Sequence, residues 1–346
     1  MRSKSTLNQV RPSSKSLGNA KTLDQPLSLA EQSAQSVWSP NTPAWLTIVC
    51  RTYQHQAFIA QCLDGFLAQE TTFKVEILVH DDASQDQTAQ IVKAYQQRNP
   101  GLIRLIEQSE NQFSKGRRAQ ELVLPHIHTP YVADCEGDDY WTDPRKLQIQ
   151  VDYLEAHADV VVTSHDAFIE NEQGERVSET KLPQEQQRDF TGLELMCGQA
   201  WILTLARVYR NVLSTEPIQE RAHILNGDNF TTALLGRWGG AHFHTDIASA
   251  AYRVHAGGVW SSLSMDKRIQ AQLTSDYWIH RYFARTAQCW EDRAAAHAWF
   301  LRWLDGAKRA SSISPIQAWV AVLQWRLQRW RARLKRNRLW GRSGAA

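Results

Sequence analysis

Three short apolar runs in the first half of the chain each end abruptly in a polar turn. The runs cover residues 45–50, 75–80 and 131–133, and amphipathic stretches separate them. Continuous apolar runs with β-branched residues are typical of strands covered on both faces. Strands that alternate with helices predict an α/β fold in which helices flank a mostly parallel central sheet.

The stretches between these runs have the spacing of helices with one buried face. Apolar residues recur every three or four positions between Phe58 and Leu67, and a further helix is expected from about Thr88 to Arg98. Ligands of open parallel sheets bind beyond the carboxyl ends of the strands. Because acidic residues follow the second and third runs directly, we expect both acidic clusters to share one crevice.

The most concentrated acidic cluster is Glu136-Gly137-Asp138-Asp139, which begins three residues after the end of the third run. Three carboxylates within four residues repel one another, and a bound cation or a raised pKa relieves that repulsion. Mg²⁺ and Mn²⁺ prefer carboxylate oxygens. A solvated acidic turn is the alternative. The buried strand before the cluster and the aromatic residues after it favour a metal site.

Composition predicts three regions along the chain. Residues 1–42 are rich in Ser, Gln, Asn and Lys and are expected to be disordered. Residues 43–262 should form the main domain, and residues 263–346 a helical extension. No run of 18 apolar residues and no signal-peptide core occurs, and the five cysteines lie far apart. A reduced, cytoplasmic protein is therefore expected.

The last predicted helix, about residues 315–340, combines a Trp-bearing apolar stripe with a basic face. That pattern is typical of a helix lying in a membrane interface, which predicts peripheral contact with the inner face of the plasma membrane. The alternative is packing against protein. Residues 41–306 carry 24 Lys and Arg against 34 Asp and Glu. Such an acidic body is a poor nucleic-acid binder, so no nucleic-acid partner is expected.

Several motifs between about residues 45 and 262 resemble those of the family 2 glycosyltransferases, which are inverting enzymes with the GT-A fold. Residues 47–54 resemble that family's first strand and T-Y-N turn, with Gln54 in place of Asn. Residues 80–88 match its D-D-x-S-x-D-x-T signature. The resemblance places Thr52 and Tyr53 in a nucleotide-sugar site, where Asp82 contacts the base.

The acidic cluster resembles the family's D-x-D-D element, with Glu136 replacing the first Asp. By this resemblance Glu136 and Asp138 line the nucleotide-sugar site, Asp138 and Asp139 bind Mn²⁺ or Mg²⁺, and His255 completes the metal site. Asn226-Gly227-Asp228 occupies the place of the family's E-D element, which implies that Asp228 is the catalytic base. Arg118, in a basic loop, is expected to add a cationic contact to phosphate or base.

The resemblance implies a metal-dependent inverting transferase that uses a nucleotide diphosphate sugar as donor. A glycan or lipid-linked glycan, as in cell-surface polysaccharide assembly, is the implied acceptor. Each motif also has a structural interpretation: Asp82 and Asp228 as helix caps, His255 as a structural histidine, Arg118 as a solvated loop residue.

Two other functions remain open at this point. The first is a non-catalytic sugar-nucleotide or glycan-binding module that keeps the GT-A pocket, which the substitutions at Glu136 and Gly227 support. The second is a nucleotidyltransferase. Nucleotidyltransferases of related architecture share a Gly-rich phosphate loop after the first strand. This function is disfavoured because residues 51–54 are Arg-Thr-Tyr-Gln at that position.

Overall fold

A computed structural model describes residues 23–258 and 263–310. The strands are β1 Leu27–Ser28, β2 Leu46–Thr52, β3 Glu70–Thr71, β4 Val75–Asp81, β5 Ile103–Glu107, β6 Tyr131–Glu136, β7 Val160–Ser164, β8 Ala167–Asn171, β9 Arg176–Ser178, β10 Val208–Arg210, β11 Gly240–Phe243 and β12 Ala250–Val254. The helices are α1 Leu29–Ala34, α2 Ile59–Leu67, α3 Thr88–Arg98, α4 Ala119–Val123, α5 Lys146–Ala156, α6 Gly192–Met196, α7 Gly227–Leu235, α8 Met265–Thr286 and α9 Trp290–Arg309.

The central sheet of the described chain has the strand order β11-β7-β10-β6-β2-β4-β5. Strand β2 runs parallel to both β4 and β6, and β10 is antiparallel to β6 and β7. The predicted α/β architecture with a mostly parallel central sheet is confirmed. The short β10 was not foreseen as antiparallel, because three residues carry no signal of strand direction.

Alternate residues of β2 serve the two faces of this sheet. Ile48 and Cys50 belong to the core under α2 and α5, whereas Val49 belongs to the core on the opposite face. All three are essentially inaccessible to solvent. Because both faces of the strand are covered, its sequence is a nearly continuous apolar run.

The C-terminal helices α8 and α9 form a third core together with α7. Phe230 of α7 packs with Phe283 of α8 and Trp299 of α9, all fully buried. The Trp299 indole Nε1 donates a hydrogen bond to the Met196 carbonyl at 2.8 Å. The predicted helical C-terminal part is therefore confirmed over residues 265–309, and it packs against the helix that carries Asp228.

The expectation that residues 1–42 are disordered is wrong for residues 27–34. Strand β1 pairs with β3, and Ser28 and Glu31 form a capping box at the start of α1. Leu29 is only 1% exposed, so this short segment buries apolar surface although its surroundings are polar. Residues 1–22 and the predicted basic helix at 315–340 lie outside the described residues. No described helix combines the length and the apolar character that crossing a bilayer requires.

Candidate functional site

The carboxyl ends of β2, β4 and β6 meet at one edge of the sheet. Thr52 lies opposite Asp81, and Arg51 lies opposite Glu136. The turn after β6 packs directly on the end of β2: a Cβ atom at Gly137 would lie 2.8 Å from the Thr52 Oγ1 atom. This close approach requires glycine, and it brings the acidic cluster over the strand ends.

Two histidines from distant parts of the chain meet the Asp138 carboxylate. His255 Nε2 lies 3.0 Å from Asp138 Oδ2, and His55 Nε2 lies 3.7 Å from the same oxygen. His255 directly follows β12, which is joined to the turn after β6 by backbone pairing of Tyr140 with Ala251. The predicted pair of Asp138 and His255 is thus in contact, and His55 is an addition that the sequence did not reveal.

Electrostatics keep Asp138 ionised between the two rings. Burial alone would raise its pKa, but chiefly the hydrogen bond from His255 holds the pKa below its usual value. Burial lowers the pKa of His55, which favours its neutral form. A carboxylate beside neutral imidazole is a suitable donor set for a divalent metal ion.

The predicted metal ligand Asp139 has a different environment. Its Oδ1 accepts a hydrogen bond from the Arg253 backbone N–H at 2.9 Å, and the residue is 3% exposed. Burial raises the pKa of Asp139 well above its ordinary value, and the charges of Asp138 and Glu136 raise it further. Asp139 therefore lies beside the His55–Asp138–His255 group, with one oxygen occupied by the β12 backbone.

Arg253 ties β12 to the acidic turn and to β8. Its Nη1 donates to the Asp138 carbonyl at 2.9 Å, and its Nε donates to Glu170 Oε1 at 3.0 Å. Glu170 also accepts from the Tyr140 hydroxyl at 2.8 Å. This buried network holds β12, and with it His255, against the acidic turn. The role of Arg253 is not visible in the sequence, because its partners lie more than 80 residues away.

The Tyr252 hydroxyl is subject to the negative charge of several acidic groups. Burial raises the pKa of its hydroxyl, and the charges of Asp139, Glu136, Asp138 and Asp228 raise it further. The Lys181 ammonium lies 3.4 Å from the centre of the Tyr252 ring and offsets part of this negative charge. The charge of Asp228, the predicted base, therefore adds to the negative potential of the acidic cluster at Tyr252. Asp228 occupies the first turn of α7.

The loop that precedes Asp228 is fixed by the C-terminal extension. The Ser275 hydroxyl of α8 accepts hydrogen bonds from the backbone N–H groups of Leu225 and Asn226, each at 3.1 Å. The Asn226 side chain donates to Gln272 at 2.5 Å. Helix α8 therefore positions the start of α7, a relationship that no local sequence pattern could reveal.

Asp82 binds the backbone at residues 112–113 and does not cap α3. Its two carboxylate oxygens accept hydrogen bonds from the backbone N–H groups of Gln112 and Phe113, at 2.7 and 3.0 Å. The Thr52 Oγ1 atom is buried with no hydrogen-bond partner among the described residues, and Tyr53 is 41% exposed beside it. These three predicted nucleotide contacts line adjacent turns at the strand ends.

Arg118 and Glu136 lie at the sides of the site. Arg118 donates to the Ala222 carbonyl at 2.9 Å, and its guanidinium lies 5.0 Å from the centre of the Phe113 ring. It therefore links the loop held by Asp82 to the segment before Asp228. The Glu136 carboxylate lies 3.5 Å from the Arg51 guanidinium. Burial raises the pKa of Glu136 above its ordinary value, and Arg51 opposes the rise.

The residues present fit a divalent metal ion. Atoms of His55, Asp138 and His255 that could each serve as a ligand lie within 4.8 Å of one another. Ligands about 2.1 Å from one ion are about 3 to 4 Å apart, which matches the 3.0 and 3.7 Å separations at Asp138 Oδ2. Asp138 Oδ1 and His55 Nδ1 are also buried without a partner in the described part of the chain.

Comparison with known proteins identifies relatives of this chain. Residues 47–210 match the family described as Glycosyl transferase family 2. An uncharacterised protein of Mycobacterium tuberculosis is 35% identical over 231 residues, covering 64% of this chain and 62% of that protein. An uncharacterised glycosyltransferase of Nostoc sp. is 26% identical over 201 residues, covering 56% of this chain and 60% of that protein. The chain thus spans about three fifths of the length of these relatives.

Solved structures give a more distant likeness. The S. aureus TarS structure in complex with UDP has a TM-score of 0.49 and 15% sequence identity, and the match covers 78% of this chain and 72% of that one. UDP is the ligand of TarS in that structure.

Proposed function

The chain belongs to the family 2 glycosyltransferases, and on that premise we propose that it transfers a sugar from a nucleotide diphosphate sugar to a hydroxyl acceptor. One observation carries the proposal: the acidic cluster Glu136, Asp138 and Asp139 lies at the carboxyl ends of parallel strands, with His255 Nε2 3.0 Å from Asp138 Oδ2. Such a concentration of carboxylates at the carboxyl ends of parallel strands suits a metal-bound diphosphate with a general base beside it.

Asp228 is the proposed base. Its carboxylate takes the proton of the acceptor hydroxyl while the acceptor oxygen forms a bond to the anomeric carbon. The bond from that carbon to the diphosphate oxygen breaks on the opposite face, and the electron pair leaves with the nucleoside diphosphate. Attack opposite the leaving group inverts the configuration of the anomeric carbon.

The proposed metal, Mn²⁺ or Mg²⁺, would be held by Asp138 and His255, with Asp139 beside them. When bound, it supplies Lewis-acid stabilisation of the negative charge that grows on the diphosphate. The chain's own contribution is to fix these ligands: Gly137 allows the turn to approach β2, and Arg253 holds β12 against it.

Nucleotide binding is proposed for Thr52, Tyr53, Asp82 and Arg118, with Glu136 and Asp138 toward the sugar and ribose. Asp82 already uses both oxygens to hold the backbone at residues 112 and 113. Asp82 would then contribute to base recognition partly by holding this loop in position.

The acceptor is proposed to be a glycan or lipid-linked glycan of the cell surface, reached from the cytoplasmic side. Support comes from the Trp and Arg pattern of residues 315–340, which suits an anionic membrane surface. Flotation of the full-length protein and of a truncation before Ser314 with anionic liposomes tests the membrane contact. Equal flotation of the two proteins would contradict it.

A non-catalytic sugar-nucleotide-binding module is the second candidate. The observations that favour it are Glu136 in place of the family's Asp and Gly227 in place of its Glu. A Cβ atom at Gly227 would have no neighbouring atom within 4 Å. Packing therefore does not require glycine there, and the loss of the acidic side chain needs another explanation.

One experiment separates the two candidates. The full-length protein is incubated with UDP-, GDP-, dTDP- and CMP-sugars in Mn²⁺, Mg²⁺ or EDTA, while calorimetry measures binding and NMR follows the released sugar. The transferase proposal predicts metal-dependent release of nucleoside diphosphate from at least one donor, with an inverted anomer appearing first. Tight binding without turnover across a broad acceptor panel supports the binding module, and no binding of any donor contradicts both.

A further inference from the structure

We propose that His55 is a third protein ligand of the metal, so that two imidazoles and one carboxylate select Mn²⁺ and similar transition ions over Mg²⁺. This inference rests on the proposed function for the presence of a metal. It goes beyond that function by assigning His55 and a metal preference.

Geometry is the first support. The Nε2 atoms of His55 and His255 approach the same oxygen of Asp138, at 3.7 and 3.0 Å. The His55 side chain is 13% exposed, so it is largely committed to this cluster. Its ring meets the His255 ring nearly at right angles, with centroids 6.0 Å apart. The three residues therefore surround one small volume.

The backbone around His55 is fixed by the next turn along the sheet edge. The N–H groups of Gln54, His55 and Gln56 donate hydrogen bonds at 2.9, 2.9 and 3.1 Å. Their acceptors are, in the same order, side-chain oxygens of Ser84, Thr88 and Asp86. These acceptors are the S, T and third D of the D-D-x-S-x-D-x-T signature. The signature side chains therefore fix the backbone position of His55, in addition to any capping of α3 that they provide.

This arrangement also stabilises an uncommon backbone conformation. Gln54 and Ala83 have φ angles of +60° and +63°, which non-glycine residues seldom adopt. The two residues occupy equivalent places in the facing turns after β2 and β4. Such conformations persist where surrounding contacts enforce them and concentrate at functional sites.

Hydrogen bonding alone does not account for the position of His55. Its Nδ1 is buried with no partner among the described residues, and the same is true of Asp138 Oδ1. A metal ion held between the Nε2 atoms and the carboxylate would leave Nδ1 unpaired, but it would give the buried Asp138 Oδ1 the positive partner that it lacks. A ring directed at a carboxylate that also faces a second imidazole is better explained as a ligand.

The donor set determines the expected metal. Mg²⁺ binds mainly to carboxylates, phosphates and water, whereas imidazole nitrogen suits first-row transition ions such as Mn²⁺, Co²⁺ and Zn²⁺. Asp139 could compensate with oxygen, but one of its oxygens already accepts from the Arg253 N–H. A site with two nitrogen ligands should therefore bind Mg²⁺ more weakly than Mn²⁺.

Pulsed electron paramagnetic resonance of the Mn²⁺-loaded full-length protein tests the assignment directly. We expect coupling to two imidazole nitrogens in the wild type and to one in His55→Gln. One coupled nitrogen in the wild type would overturn the proposal, and this measurement does not depend on any variant folding. Exposed His128 provides the matched control, since His128→Ala should keep both couplings.

Calorimetric titration with Mn²⁺ and Mg²⁺ tests the preference. His55→Gln should weaken Mn²⁺ binding about tenfold or more, and His55→Asp should reduce the Mn²⁺/Mg²⁺ affinity ratio by a similar factor. Thr88→Val, which removes the acceptor for the His55 N–H, should weaken Mn²⁺ binding by a smaller factor. Unchanged Mn²⁺ affinity in folded His55→Gln contradicts the assignment, while donor turnover by the same variant would leave the proposed function standing.

Discussion

His255 Nε2 lies 3.0 Å from Asp138 Oδ2, although the two residues are 117 positions apart in the chain. Two features of β12 produce this contact. Ala251 pairs with Tyr140 just after the acidic turn, and the Arg253 side chain donates to the Asp138 carbonyl. The position of His255 therefore depends on how β12 is attached to the turn.

The attachment itself can be tested through Arg253 and Glu170, which form a buried ion pair at 3.0 Å. Arg253→Met leaves the Glu170 carboxylate buried without its cation, which should lower the free energy of unfolding by about 3 to 5 kcal/mol. Urea denaturation measures the loss. Arg253→Met with Glu170→Met should recover most of it, because no charge then remains unpaired.

Arg176 provides the control for this pair. It is 53% exposed and contacts Glu179 in an exposed pair, so Arg176→Met should change the free energy of unfolding by less than about 1 kcal/mol. An Arg253→Met loss no larger than that of the control would show that the network does not hold β12.

Ser275 connects the C-terminal helices to the segment before Asp228. Ser275→Ala leaves the N–H groups of Leu225 and Asn226 without their acceptor, and the buried Asn226 group alone should cost about 1 to 3 kcal/mol. We expect a lower melting temperature and a lower kcat. Exposed Thr274→Ala, one residue away, should change neither property. A wild-type kcat in Ser275→Ala would show that this contact of α8 is not needed to position Asp228 for catalysis.

Lys146 should make stability depend on pH. Lys146 is 1% exposed, and its Nζ atom lies 4.2 Å from the centre of the Trp141 ring and donates to Gln150 at 2.7 Å. Burial lowers the pKa of Lys146 to about 7, against the opposing charges of Cys135 and Asp134. Between about pH 7 and its ordinary pKa near 10.5, the unfolded chain therefore binds more protons than the folded one.

The free energy of unfolding should then rise as pH increases through this window, by up to about 1.4 kcal/mol per pH unit from this group. Denaturation at pH 7, 8 and 9 measures the slope. Lys146→Met should flatten it relative to the wild type, and Lys93→Met, at a site 49% exposed, should not. Equal slopes in wild type and Lys146→Met would contradict a neutral buried amine.

Asp82 should act on nucleotide affinity through the loop at residues 112–113. Asp82→Ala removes both acceptors of that loop, whereas Asp82→Asn keeps one carbonyl oxygen. We therefore expect the Kd for nucleotide diphosphate to rise in the order wild type, Asn, Ala, as measured by calorimetry. Glu110→Gln, an exposed change in the same loop, serves as the control. Equal Kd values for all four proteins would contradict a role of Asp82 in nucleotide binding.

The sequence was sufficient to predict which groups lie at the carboxyl ends of the strands. The apolar runs of β2, β4 and β6 are buried on both faces, and their period and boundaries are local properties. The pairing of Thr52 with Asp81 and of Arg51 with Glu136 then follows from parallel register. The order of the motifs along the chain supplied the remainder of the predicted site.

Groups whose roles depend on long-range packing could not be predicted in this way. His55 has no ligand spacing with Asp138, and Arg253 meets Glu170 only after β12 joins β8. Segment 27–34 folds because β1 pairs with β3 and Leu29 enters the core, not because of its composition. The sequence position of His55, directly after Thr52-Tyr53-Gln54, could have indicated a site residue. That position becomes informative only when the hydrogen bonds to the facing turn after β4 are known.

The most direct test of the account is donor turnover by Asp228→Asn with Mn²⁺ and the donor found in the nucleotide-sugar screen. Turnover should fall about 10²- to 10⁴-fold with little change in the Kd for the donor, because only the proton acceptor is lost. Asp266→Asn, at the same place in the first turn of α8, should retain wild-type turnover. Wild-type turnover by Asp228→Asn would contradict the central claim.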